Sequence, residues 1–386
     1  MALVNGPGSF YLMRFLLGVA EAGAYPGICY YLTAWYSEAQ YGVAYSYIPT
    51  GSAFSGVIGG ALAAVILQLD GVAGLPGWRW LFVVEGIIPV ALGLALPRLL
   101  PLGPADAKFL APADAAWLSK RQAREQQLRQ TTSAAAEGRP WDAVRAAASN
   151  KKVWWCLAIW LTLTCSYYGI LFFGPLIIQQ VLNPNCRISD TGARDEHCPS
   201  KVDVRILLLS SVPYVAAIAA MTLNARHSRR TRERKLHMAV PMLFAIAGLV
   251  LTPLLGAYPA LGFLAVIVAT AGVWAVYGPM SELWGELDSG AAHAASFAIV
   301  NGGGNLGGLF GPLIIGSLTT SSGDFTAPFF LLAALMGVSA ILVLAFPERR
   351  DARALRGAAS VASVDAEVVS EGAILLDTVA DPADAT

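Results

Sequence analysis

The chain has 386 residues, 56% of them hydrophobic and only 13% charged, and its formal net charge is zero. Soluble domains carry about a quarter charged residues, so the composition argues against an ordinary soluble protein. The balanced charge points to no nucleic-acid partner. Repeated apolar runs of about 18 residues or more mark an all-α polytopic membrane protein instead. The first run is too long and too charged for a cleavable signal peptide. No Cys-x-x-Cys or metal-ligand spacing is present, so neither a metal nor another cofactor is expected.

The first run, Phe10–Trp35, reads as the first span and holds one cation, Arg14, and one carboxylate, Glu21, seven residues apart. Charges at such depth cost at least a few kcal/mol each by insertion scales, so they are usually paired and functional. On a helix this spacing puts both on one face, about 10 Å apart along the axis. Two readings stay open: a structural ion pair closed by flexible side chains, or a site where a substrate or proton sits between them. Arg14 is the one cation well inside any run, and a guanidinium can grip a carboxylate bidentately. For Glu21 near mid-membrane, burial favours the protonated form and an opposing charge the ionised one. A group so balanced can take up and release a proton.

A second run covers about Tyr45–Leu69 and is rich in Gly51, Gly56, Gly59 and Gly60, which allow close helix approach in lipid. The third, Trp78 to about Leu96, opens on Trp78-Arg79-Trp80, an interfacial anchor pattern, and contains Glu85. Residues 1–96 thus form an N-terminal bundle of three spans. Residues 97–152 are polar, with Lys120-Arg121-Gln-Ala-Arg124, and read as a solvated linker with some helix. Residues 153–346 hold six more runs, Val153–Val181, Ile206–Leu223, Met238–Leu255, Leu261–Pro279, Ala291–Leu318 and Ala327–Phe346, making about nine spans in all. The tail, 347–386, has no basic residue after Arg356 and reads as disordered. Its Glu371-Gly-Ala-Ile-Leu375-Leu376 fits an acidic dileucine sorting pattern, which chance often supplies.

Polar side chains inside the later spans are candidates for a binding site. The fourth run offers Thr162, Thr164, Ser166, Tyr167, Tyr168 and Phe172; its tyrosines can bond a polar ligand or serve packing. Asn301-Gly-Gly-Gly-Asn305-Leu-Gly-Gly308 places two Asn on one helix face. It is no phosphate loop, since no strand precedes it and no Lys-Ser/Thr follows. Glu282, Glu286 and Asp288 are expected to form a solvated or gate-bridging cluster, and Asp195-Glu196-His197-Cys198 a loop. No nucleophile–base triad signature is present, which disfavours a membrane enzyme.

Arg14-x-x-x-Gly18-x-x-Glu21-Ala-Gly-x-x-Pro26-Gly27 resembles the fourth transmembrane helix of the major facilitator superfamily. More narrowly it resembles the anion:cation symporter branch, which includes tartrate, phthalate, allantoate, nicotinate and pantothenate permeases. Gly77-Trp-Arg-Trp-Leu-Phe-Val-Val-Glu85-Gly86 resembles the sixth helix of that branch, Leu208-Leu-Ser-Ser-Val-Pro213-Tyr214-Val the eighth, and Cys165-Ser-Tyr-Tyr-Gly-Ile-Leu-Phe-Phe-Gly-Pro175 the pocket-lining seventh. The resemblance implies a major facilitator fold and substrate-binding roles for Arg14, Tyr167, Tyr168, Asn301 and Asn305, with Glu21 in proton coupling. In the basic loop Arg226–Lys235, Ser228 and Arg230 fit the family pattern, but Arg229 stands where a latching acid is expected. The family has twelve helices and the matches begin at helix four, so three of its four repeats are expected here. On this resemblance helices one to three are expected to be missing, as in a truncated gene product or fragment, with a genuinely degenerate protein as the alternative.

The linker, the 226–235 loop and the C-terminus hold 20 of the 26 Lys and Arg residues, which makes that side cytoplasmic and the N-terminus external. Cys186 and Cys198 fall in the one long external loop, where an oxidising side permits a disulfide worth about 3 kcal/mol. The expected protein is a monomeric, proton-coupled carrier of a small organic anion working by alternating access. The plasma membrane is the default location, with the vacuole or another organelle as alternatives. The rival function is a non-transporting fragment or regulatory membrane protein.

Overall fold

In a computed structural model, the described residues are 1–36, 38–134, 140–183, 204–231, 233–284, 287, 291–322 and 325–347. The chain divides into Met1–Ala345 and Phe346–Thr386; only Phe346 and Pro347 of the second unit are described. The first unit opens with α1 (Pro7–Glu21), α2 (Ala24–Thr33), α3 (Glu38–Ile66) and α4 (Gly77–Leu99). Between the two groups of spans lie α5 (Pro112–Ala134) and α6 (Pro140–Ser149). The second group is α7 (Lys151–Leu182), α8 (Val204–Leu209), α9 (Val212–Thr231), α10 (Lys235–Leu254), α11 (Pro259–Ala275), α12 (Tyr277–Trp284), α13 (Ala291–Gly304), α14 (Gly307–Ser322) and α15 (Thr326–Ala345).

Eight stretches among the described residues are long and apolar enough to cross a membrane, from Tyr47–Leu69 to Thr326–Ala345. The stretch expected as the first of nine spans differs. It breaks at Ala22–Gly23 into α1 and α2, because Pro26 has no N–H for the Ala22 carbonyl and Gly23 tolerates the bend. Arg14 and Glu21 still share α1, with Glu21 its last residue.

Helix α7 is the axis of the second group and packs on α11, α13, α14 and α15. Asn150 caps it, accepting from the Lys152 N–H at 3.0 Å while its own amide donates to the Leu287 carbonyl at 3.1 Å. Small residues set the closest crossings. A Cβ on Gly307 would strike Thr164 Oγ1 and the backbone of Cys165 and Leu161, and one on Gly272 would strike Pro241 and Ala245. With little hydrophobic drive between helices in lipid, such backbone approach supplies the dispersion contact that holds them. The two groups join through α3, which packs on α8 and α9. There Ser211 Oγ donates to the Val57 carbonyl at 2.7 Å, and Gly60 faces the Leu207 carbonyl.

Candidate functional site

The site grows from α7. Its successive residues Tyr167 and Tyr168 stand with ring centroids 4.8 Å apart. Tyr167 meets Trp274 at 5.0 Å and Tyr277 at 5.5 Å, and the last two stack at 5.6 Å. Tyr214 adds a ring 6.1 Å from Trp274, and Trp160 one 5.3 Å from Tyr277. Ala53 of α3, Ala217 and Met221 fill the space behind them. Edge-to-face aromatic pairs of this kind contribute about 0.5–1.5 kcal/mol each beyond burial, so the wall is stiff. Tyr214 also lines a cavity of about 190 Å³, largely apolar, bounded by Gly56, Gly60, Ile170, Pro213 and Thr270.

A polar ladder runs beside this wall. Tyr168 donates to Asn305 Oδ1 over a long 3.5 Å, and Asn305 Nδ2 donates to Asn301 Oδ1 at 3.2 Å. The structure therefore brings Tyr168, Asn305 and Asn301 together, while Glu21, the exposed last residue of α1, joins them in no hydrogen bond among the described residues. Arg14 stands apart: its guanidinium lies 5.3 Å from the Phe10 ring centroid, and among the described residues no salt bridge joins it to Glu21.

Other expected polar groups are consumed by packing. Thr164 Oγ1 donates to the Gly304 carbonyl at 2.6 Å, Ser166 Oγ to Leu332 O at 3.0 Å, and Thr162 Oγ1 to Ala158 O at 2.9 Å. The Gly run also has a packing reason, since Gly303 faces Leu157, Gly304 faces Trp160 and Gly308 faces Tyr168. Sequence reasoning missed Trp274 and Tyr277. The available signal was two aromatics with polar tips, three apart, inside an apolar run that ends at Pro279.

At the α9–α10 turn an acid stands at position 233 and caps the start of α10. Glu233 accepts the Leu236 N–H at 2.8 Å and faces His237 Nδ1 at 2.9 Å, and His237 Nε2 lies 2.6 Å from His227 Nδ1. Burial pushes the Glu233 carboxyl up, but the Leu236 N–H and His237 outweigh it and hold the group below its usual range. Ser228 ties the turn by donating to the Glu233 carbonyl at 2.8 Å. The expected Cys186–Cys198 bridge, Glu286, Asp288, the 195–198 stretch and the dileucine pattern lie outside the described residues, as does the Glu282 side chain.

A sequence profile of the Major Facilitator Superfamily matches residues 1–297. The chain belongs to the Major Facilitator Superfamily. It is a multi-pass membrane transporter of that superfamily rather than an enzyme. An Agrobacterium vitis protein whose name assigns it to tartrate transport is 31% identical over 89% of this chain and 71% of its own length. A protein of Acinetobacter baumannii named as a quinolone resistance transporter is also 31% identical, over 89% of this chain and 73% of its own. The inner membrane transport protein RhmT of Escherichia coli is 29% identical over the same shares. The solved proton:xylose symporter XylE, bound to 6-bromo-6-deoxy-D-glucose, superposes with a TM-score of 0.58 at 15% identity, over 82% of this chain and 66% of that one. At that identity the likeness concerns the fold alone. The superfamily match accounts for the two helix groups joined by a polar linker and for a pocket at their seam.

Proposed function

We propose that this facilitator carries a small organic carboxylate together with protons, by alternating access at the seam where α3 packs on the second group of helices. The observation that supports the reading is the ladder from Tyr168 to Asn305 and Asn301 beside the aromatic wall of α7, with Arg14 and Glu21 sharing α1 in the other group of helices. Arg14, two turns back on the same helix and in no ion pair among the described residues, is the group left to take the substrate carboxylate. The name of the Agrobacterium vitis relative supports a hydroxylated dicarboxylate as the first substrate to try. The name of the Acinetobacter baumannii relative and the stiff aromatic wall favour a second reading, an apolar carboxylate drug as cargo. The basic linker and 226–235 loop support a cytoplasmic placement of that face, with the plasma membrane as default.

The test is uptake of radiolabelled tartrate into vesicles holding the protein, with and without an inward proton gradient, and with ciprofloxacin as competitor. Gradient-driven tartrate accumulation supports the first reading. Accumulation or export of ciprofloxacin alone supports the second. No flux of either, at normal abundance in the membrane, counts against a carboxylate carrier.

A further inference from the structure

Two carbonyls beneath the aromatic wall lose their helical donors for the same reason. In an α-helix each C=O accepts the N–H four residues on. For His237 that residue is Pro241, and for Ala275 it is Pro279; neither has an N–H. One side chain serves both oxygens. Asn224 Nδ2, on α9, donates to the His237 carbonyl at 2.7 Å and to the Ala275 carbonyl at 2.8 Å. A carboxamide nitrogen has two N–H groups, and both are used here. The partners also fix the orientation of the amide, because Oδ1 could donate to neither carbonyl.

The Ala275 bond falls at a strategic place. Ala275 ends α11 and Tyr277 begins α12, so the amide holds the break between them. Trp274 and Tyr277 flank that break and both pack on Tyr167. A Cβ on Gly278 would come within 2.7 Å of the Ala225 Cβ, so α12 is pressed on α9 one residue from Asn224. We propose that Asn224 is a positioning residue for the transport site: by bridging two carbonyls orphaned by proline, its amide fixes the angle between α11 and α12 and holds Trp274 and Tyr277 against Tyr167. The proposal rests on reading that cluster as the wall of the site.

The test reads wall position without any substrate. In the whole protein in membranes, Tyr167→Cys and Tyr277→Cys are combined, and oxidative formation of their disulfide is followed by mass spectrometry of the linked peptides. Asn224→Ala is expected to slow trapping about tenfold, the scale set by stranding a buried carbonyl. Adding Pro279→Ala returns a helical donor to the Ala275 carbonyl and should restore the rate. Pro241→Ala repairs only the His237 carbonyl and should not, a distinction that a general loss of stability would not make. Trapping unaffected by Asn224→Ala overturns the proposal, as does a loss that Pro279→Ala leaves unrepaired. Should Asn224→Ala fail to reach the membrane, abundance becomes the readout: recovery with Pro279→Ala supports the proposal and no recovery overturns it. Failure of the tartrate assay with normal trapping falls on the transport reading and not on this one.

Discussion

Arg14 is the residue on which the substrate class turns. A structural ion pair with Glu21 would have left one buried charge unpaired in either single variant, but no such pair exists among the described residues. Arg14→Lys keeps the charge and loses the planar fork, so substrate KM should rise roughly ten- to a hundredfold, the scale of one or two charge-assisted hydrogen bonds. Arg14→Ala should abolish both exchange and net uptake at unchanged abundance. The charged pair was legible in the sequence because charges are conspicuous in an apolar run. Trp274 and Tyr277 were not, since aromatics are ordinary in a span and only the fold brings them to Tyr167.

Glu233 gives a second test at this scale. Its folded carboxyl titrates below the usual carboxylate range, held by the Leu236 N–H and His237. A depressed pKa stabilises the fold at pH values above the unfolded pKa, about 4.3, and that contribution is lost as pH falls through the folded value. Glu233→Gln should therefore lower the melting temperature of the detergent-solubilised protein at pH 7, with the difference from the parent shrinking as pH falls through the folded value. A pH-independent difference would contradict the assignment. The sequence pattern placed the acid at position 229. The turn instead uses position 233, because there a carboxylate reaches the free N–H groups at the start of α10.

At the scale of elements, hydrophobic run length predicted the later spans well, since each must satisfy its backbone internally in lipid. Breaks were harder to read. The one between α1 and α2 depends on Gly23 and Pro26, and the one between α13 and α14 follows three glycines. The structure separates those glycines by function. Gly307 leaves no room against Thr164, Cys165 and Leu161, whereas Gly302 has nothing within 4 Å of an added Cβ. Gly307→Ala should destabilise by about 1–3 kcal/mol through overpacking. Gly302→Ala should be neutral or gain up to about 1 kcal/mol from helix propensity. Thermal melting of the two variants side by side checks the pair; equal losses would mean that α14 does not pack on α7 as described.

For the whole molecule, charge distribution predicts sidedness. Protease sites introduced in the 97–152 linker should be cleaved only from the cytoplasmic side, and a tag in the 182–203 loop should be reached only from outside. Linker cleavage in intact cells would invert the scheme. Membership of the superfamily was legible because the α1 motif combines rare residues for an apolar run, and matches over most of the chain support it. Substrate identity was not, because it depends on how side chains from separate helices meet.

The central claim is that Glu21 carries the coupling proton at the seam between the two helix groups. Glu21→Gln mimics its permanently protonated form, so its measurement against the parent is the most direct test. In vesicles holding the whole protein, tartrate-for-tartrate exchange and pH-driven tartrate accumulation are recorded together. The account predicts that exchange survives in Glu21→Gln and that accumulation falls to the level without a gradient. Full pH-driven accumulation by Glu21→Gln at normal abundance would contradict it.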